Sequence, residues 1–144
     1  MYYSPSRAMA QTYGAVDKNS RIAAASPHEL VSILFEQLLL RIDRAARCVD
    51  RGDMAGMFES RAKAMDILNA LDESLDFERG GEIATTLAIV YREASNRLAN
   101  AHGEQTAERL AAAREIVVEI ADAWNQIGKR SAEAVTMSLC NRTE

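Results

Sequence analysis

The chain has 144 residues, enough for one domain that removes roughly 68 to 70% of its unfolded-chain surface from water, so neither a disulfide framework nor a structural metal is required. With 17 basic and 21 acidic side chains the formal net charge is -4, which excludes the global positive field that holds a polyanion against salt; nucleic acid is not an expected partner. Only 2 Pro and 7 Gly, few aromatics and many Ala, Leu, Arg and Glu favour an all-α fold over a sandwich or barrel.

Residues 1–23 are polar and small, with Tyr2, Tyr3, Met9, Tyr13, Val16 and Ile22 as isolated apolar points. They read as an N-terminal arm, with docking on the body and disorder both open. The first helix starts sharply. Ser26 offers an oxygen to the orphan amides of the first turn, Pro27 loses no useful donor there, and Glu29 is placed to reach back to the cap amide. From Pro27 to about Asp50, Leu30, Leu34, Leu38, Ile42 and Ala45 recur at helical spacing, and Val31, Phe35, Leu39, Ala46 and Val49 widen the stripe beyond what one partner helix covers. Such a stripe needs several neighbours.

Arg51-Gly52-Asp53 supplies a stop and a new start, and the short connection turns a second helix back antiparallel. Its expected inward line is Met54, Phe58, Ala62, Met65, Leu68 and Leu75, joined by Ala64, Ile67 and Leu71. Asp76 to Glu82 breaks that helix, since Gly80-Gly81 allow backbone angles denied to other residues. A third helix is expected from about Gly81 to Ala101 with Ile83, Leu87, Val90, Tyr91, Ala94, Leu98 and Ala101 inward, ended by His102-Gly103. A fourth starts near Gln105, carries Leu110, Ala113, Val117, Ile120, Trp124 and Ile127, and ends near Gly128-Lys129-Arg130, with residues 132–144 as a tail or weak extension. The fold expected is an antiparallel up-down-up-down four-helix bundle over residues 24–131.

Chemistry is sparse in this pattern. A dinuclear metal centre in a bundle takes Glu-x-x-His pairs, and neither His28 nor His102 has a Glu three residues earlier. Both read as helix-terminus residues. No phosphate-cradling glycine loop or nucleophile elbow occurs, so no catalytic residue, metal or cofactor is expected. Cys48 and Cys140 match no metal or redox spacing and read as reduced thiols of a cytosolic protein, with a disulfide between them left open, while no apolar run approaches a membrane span. Arg41, Arg44, Arg47 and Arg51 share one side of the first helix; a solvated face with local ion pairs is favoured over an acidic partner strip. Lys63 stands where its stem covers a groove while its charge stays wet, and Trp124 reads as core, with a groove lining as the alternative.

The run Ala25-Ser26-Pro27-His28-Glu29-Leu30-Val31-Ser32-Ile33-Leu34-Phe35-Glu36, preceded by Tyr13 and Val16, resembles the opening of the flagellin-specific export chaperones, the FliS family. Lys63-Ala64, Ile67, Leu71, Ser74-Leu75-Asp76, Gly80 to Ala84, Leu87, Tyr91, Arg97-Leu98 and Trp124 follow in the family's order. Phe35-Glu36-Gln37 departs from it, standing where a Tyr-Asp-Gly run is common.

The resemblance implies a cytoplasmic bundle that binds the disordered C-terminal region of flagellin, blocks premature polymerisation and presents it for type III export, without catalysis. Taken with the surplus of the stripe on the first helix, the expected partner-binding residues are Tyr13, Val16, Val31, Phe35, Leu39, Lys63, Ile67, Leu71 and Trp124, and our hypothesis for the arm is that Tyr13 and Val16 occupy part of the groove until the client displaces them. The resemblance leaves a homodimer and contact with an export-gate component open. The competing reading is a non-catalytic homodimeric adaptor or regulator of another amphipathic partner; an enzyme or ligand carrier ranks third.

Overall fold

The structure, a computed structural model, describes the backbone of residues 24–142 and the side chains of residues 24–129. Within that span the chain forms four α-helices: α1 Pro27–Asp50, α2 Met54–Glu73, α3 Phe77–Ala99 and α4 Thr106–Arg142, with a short 3-10 turn at Gly103–Gln105 leading into α4. The arm residues Tyr13 and Val16 lie outside the described residues.

Local chemistry sets each boundary. Ser26 Oγ accepts the Glu29 amide at 3.1 Å with Pro27 in the first turn, and the Glu29 charge lies at the positive end of the α1 dipole. Ser26→Ala is expected to cost about 1 kcal/mol, read as a lower urea midpoint at unchanged slope; a midpoint equal to that of the parent would show the cap to be idle.

At the other end of α1 the Gly52 amide donates to Val49 O at 3.0 Å and the Asp53 amide to Cys48 O at 2.8 Å, a paired closure that needs the left-handed backbone of Gly52 at φ 74. Asp53 then caps α2 by accepting the Gly56 amide at 2.9 Å. One residue closes a helix and opens the next.

Asp76 caps α3 in the same way, accepting the Arg79 amide at 3.1 Å. The first turn, Phe77 to Gly80, is separated from the long part of α3 by Gly81 at φ 51 and ψ -124, a conformation open in practice to glycine alone. The expected start at Gly81 therefore marks the long part, and the capped turn before it extends the element to Phe77.

The fourth helix differs more. Rather than ending near Gly128, α4 runs on to Arg142, the extension expected as the alternative to a tail, a length of about 55 Å against about 36 Å for α1. Gly128 is no stop, because a side chain there would collide with the His28 ring; it makes room for an interhelical contact. A mid-helix glycine lowers helix stability by roughly 0.5 to 1 kcal/mol. The His28 contact offsets that cost.

The helices pack in a ring, α1 between α2 and α4, and α3 between the same two. Antiparallel order shows in the cross-contacts: His28 of α1 meets Trp124 of α4, whereas Asp43, further up α1, meets Arg114, further back on α4. Val31, Leu34, Phe35, Leu38 and Ile42 of α1 are buried with Met57, Leu68 and Leu71 of α2, Leu87, Tyr91 and Leu98 of α3, and Leu110, Val117 and Trp124 of α4. Each such side chain contributes about 1.5 to 3 kcal/mol by leaving water.

One correction concerns α2. Met54, Phe58 and Ala62, expected inward, are exposed, and the buried line is Met57, Ser60, Ala64, Ile67, Leu68, Ala70 and Leu71. The rotation is set at Gly56. A Cβ there would meet Cys48 Sγ of α1 and the Asp53 carboxylate, so α2 lies close against α1 at this position. Met54 and Phe58 are thereby turned out.

Candidate partner-binding surface

The seam between α1 and α4 is held by reciprocal bonds. Trp124 Nε1 donates to His28 O at 3.0 Å, and His28 Nε2 lies 2.9 Å from Trp124 O, which fixes the tautomer with the proton on Nε2. Their rings stack at 4.4 Å between centroids and 6° between planes. Phe35 meets the Trp124 ring edge-on at 6.4 Å and lies 6.3 Å from Tyr91, so one aromatic column joins α1, α3 and α4. Further contacts extend the seam: Ser32 Oγ donates to Asn125 Oδ1 at 3.1 Å, and Arg114 Nε donates to Asp43 Oδ1 at 2.8 Å. Neither the stack nor its reciprocal bonds follow from the sequence pattern, which placed His28 only at a helix end.

This column decides where several expected site residues stand. Val31, Phe35, Ile67, Leu71 and Trp124 are brought together in the buried core, Trp124 being 2% exposed. Leu39 is half-buried against that core, and Lys63 is exposed with Nζ 3.1 Å from Glu59 one turn earlier. Of the expected set within the described side chains, Leu39 and Lys63 alone reach solvent appreciably. Among the described residues the arginines of α1 and its cap make few fixed contacts: Nε of Arg51, which caps the helix, donates to Arg47 O, and Asp43 is taken by α4.

Among the described residues, large apolar side chains face water at Leu40 of α1, at Phe77 and Ile89 of α3 and at Met54 and Phe58 of α2, and only on α2 do they fall one turn apart. Met54 and Phe58 are 42% and 45% exposed, Ala62 is exposed and Met65 half-buried, one residue per turn over about three turns. Arg61 stands on the same flank with its guanidinium 5.0 Å over the Phe58 ring, and its Nη1 donates to Ala101 O at 2.9 Å, tying this edge of α2 to the end of α3. Exposed methionine and phenylalanine at helical spacing suit the apolar face of another helix, because the thioether adapts its shape to what it meets.

Among the described residues no group of three His, Cys, Asp or Glu side chains gathers closely enough to hold a metal ion, and no helix is long and apolar enough to cross a membrane. Cys48 is a buried free thiol; the Cys140 side chain lies outside the described residues.

The sequence of this chain matches known proteins along most of its length. The family profile described as Flagellar protein FliS covers residues 9–131. The flagellar secretion chaperone FliS of Salmonella typhimurium is 33% identical over 123 residues, 85% of this chain and 91% of its own. That of Vibrio cholerae is 32% identical over 121 residues, 84% of this chain and 89% of its own, and the flagellar secretion chaperone FliSB of Pseudomonas aeruginosa is 30% identical over 121 residues, 84% and 95%.

Proposed function

The chain belongs to the FliS family of flagellar secretion chaperones, and from that premise we propose that it binds the disordered C-terminal region of flagellin in the cytosol, keeps it from polymerising and hands it to a component of the flagellar export gate. The observation that carries the reading is the exposed line Met54, Phe58, Ala62 and Met65 beside a core that is otherwise closed. A disordered amphipathic segment that folds on binding loses roughly 2 to 5 kcal/mol to its own ordering, and a long apolar flank offsets that.

In this reading Leu39 and Lys63 join the client surface. Val31, Phe35, Ile67, Leu71 and Trp124 meet the client only where Tyr13 and Val16 of the arm yield their place. The work is binding alone, without a cofactor.

The test is a titration of the chain with flagellin, with flagellin lacking its C-terminal segment, and of the chain lacking residues 1–16 with intact flagellin. Binding is expected to be lost with the flagellin segment and altered by removal of the arm. Equal binding to both flagellins, or to neither, would overturn the chaperone reading; an unaltered affinity without residues 1–16 would remove the arm from it.

A further inference from the structure

On the outer side of the bundle, where α3 ends and α4 begins, a cavity of about 460 Å³ is lined by Glu93, Asn96, Arg97, Asn100, Arg109 and Ala112. Two arginines cross it in opposite directions. Arg97 of α3 donates through Nη1 to Ala112 O of α4 at 2.8 Å, and Arg109 of α4 donates through Nη1 to the O of Asn100, the residue that caps the end of α3. Each guanidinium is therefore anchored to the backbone of the other helix or its cap. Arg97 Nε also donates to Glu93 Oε1 at 3.0 Å, and Arg109 Nη2 to Gln105 Oε1 at 3.0 Å. These bonds use two of the five N–H groups of each guanidinium. Among the described residues the others meet no partner and remain for a ligand.

The charge in this groove runs against that of the protein. Two fixed cations face the single Glu93 carboxylate, in a chain whose formal net charge is -4. Asn96 and Asn100 lie one turn apart on the α3 side. Asn100 Nδ2 donates to Asn96 O at 2.9 Å, which leaves its Oδ1 to accept, and the Asn96 carboxamide makes no hydrogen bond among the described residues. A carboxamide offers one donor edge and one acceptor, the complement of a peptide unit, while an anchored guanidinium complements a carboxylate. Among the described residues the arginines of α1 have no such anchoring across helices.

The geometry points to a groove for an acidic peptide segment of a partner protein, its carboxylates bound by Arg97 and Arg109 and its backbone by Asn96 and Asn100. This surface is separate from the α2 flank and does not depend on what that flank binds. Because the pairing is partly exposed, the affinity is modest and falls with added salt.

The test uses a fluorescent hexaglutamate peptide and the full chain, followed by anisotropy at low ionic strength, with hexaglutamine as the uncharged control. Saturable binding of hexaglutamate alone is expected. Asn96→Asp places a carboxylate in the groove without touching either arginine anchor, and should weaken that binding by about two- to five-fold. Arg109→Gln should weaken it as well, and if that variant does not fold, Asn96→Asp decides the matter. Failure of hexaglutamate to bind, or binding unchanged by Asn96→Asp, overturns the proposal. Citrate displacing the probe as effectively as unlabelled peptide would overturn it too, since the groove would then take any small anion.

Discussion

Trp124→Ala is expected to destabilise the bundle by about 3 to 5 kcal/mol, measured by urea or thermal unfolding. The indole is buried at the α1–α4 seam, so its removal leaves a cavity, and three specific losses add to that. The stack on His28 goes, the edge contact with Phe35 goes, and the indole N–H bond to the His28 carbonyl goes. Trp124→Phe separates these contributions by retaining most of the apolar volume while removing the N–H; it should cost less than the alanine variant. In a cycle with His28→Ala, the two changes should couple by about 0.5 to 3 kcal/mol, as side chains in direct contact do. A loss below about 1 kcal/mol for Trp124→Ala would mean that the seam closes without it, and would return Trp124 to the client surface.

Neighbouring positions on α2 should behave in opposite ways. Met57 is 0% exposed, so Met57→Ala should cost about 2 to 5 kcal/mol of stability. Phe58, one residue on, is 45% exposed and loses chiefly its contact with Arg61; Phe58→Ala should cost less than about 1 kcal/mol. Its effect belongs instead to the client, where truncating an aromatic anchor is expected to lower flagellin affinity by about 1 kcal/mol or more, a factor of about five. Unfolding curves and a flagellin titration of the two variants check the contrast. If Phe58→Ala binds flagellin as the parent does, the α2 flank is not the docking line.

Much of this architecture is legible in the residues. The Ser26-Pro27 start, the Gly52 reversal and the glycine break before the long part of α3 each rest on a local rule that the fold obeys. On α1 the apolar residues fall on one broad face, and the helical period alone identifies Leu34, Leu38, Ile42 and Ala45 as core. On α2 the period is ambiguous, because two apolar lines share the helix. One runs through Met54, Phe58, Ala62 and Met65, the other through Met57, Ala64, Ile67 and Leu71. Choosing between them takes the close approach at Gly56, a tertiary fact with no signature within the helix itself.

The end of α4 was obscured for a related reason. A glycine followed by two basic residues has the look of a helix stop, and only the His28 ring lying against Gly128 shows why it is something else. The candidate surface was harder to read than the core. Phe35, Ile67, Leu71 and Trp124 are the large apolar residues that catch attention in a sequence, and for that reason they are also the ones a bundle buries. Anchored arginines such as Arg97 and Arg109 leave no periodic trace, since their partners are backbone carbonyls of another helix or its cap.

The chain has one tryptophan, and it sits where α4 is clasped to the first turn of α1. Its emission therefore reports on that single joint, quenched or shifted by the imidazole against it, while far-ultraviolet ellipticity averages over all four helices. A bundle that opens from this end will change colour before it loses helix. One that comes apart as a unit will give superimposable curves from the two signals.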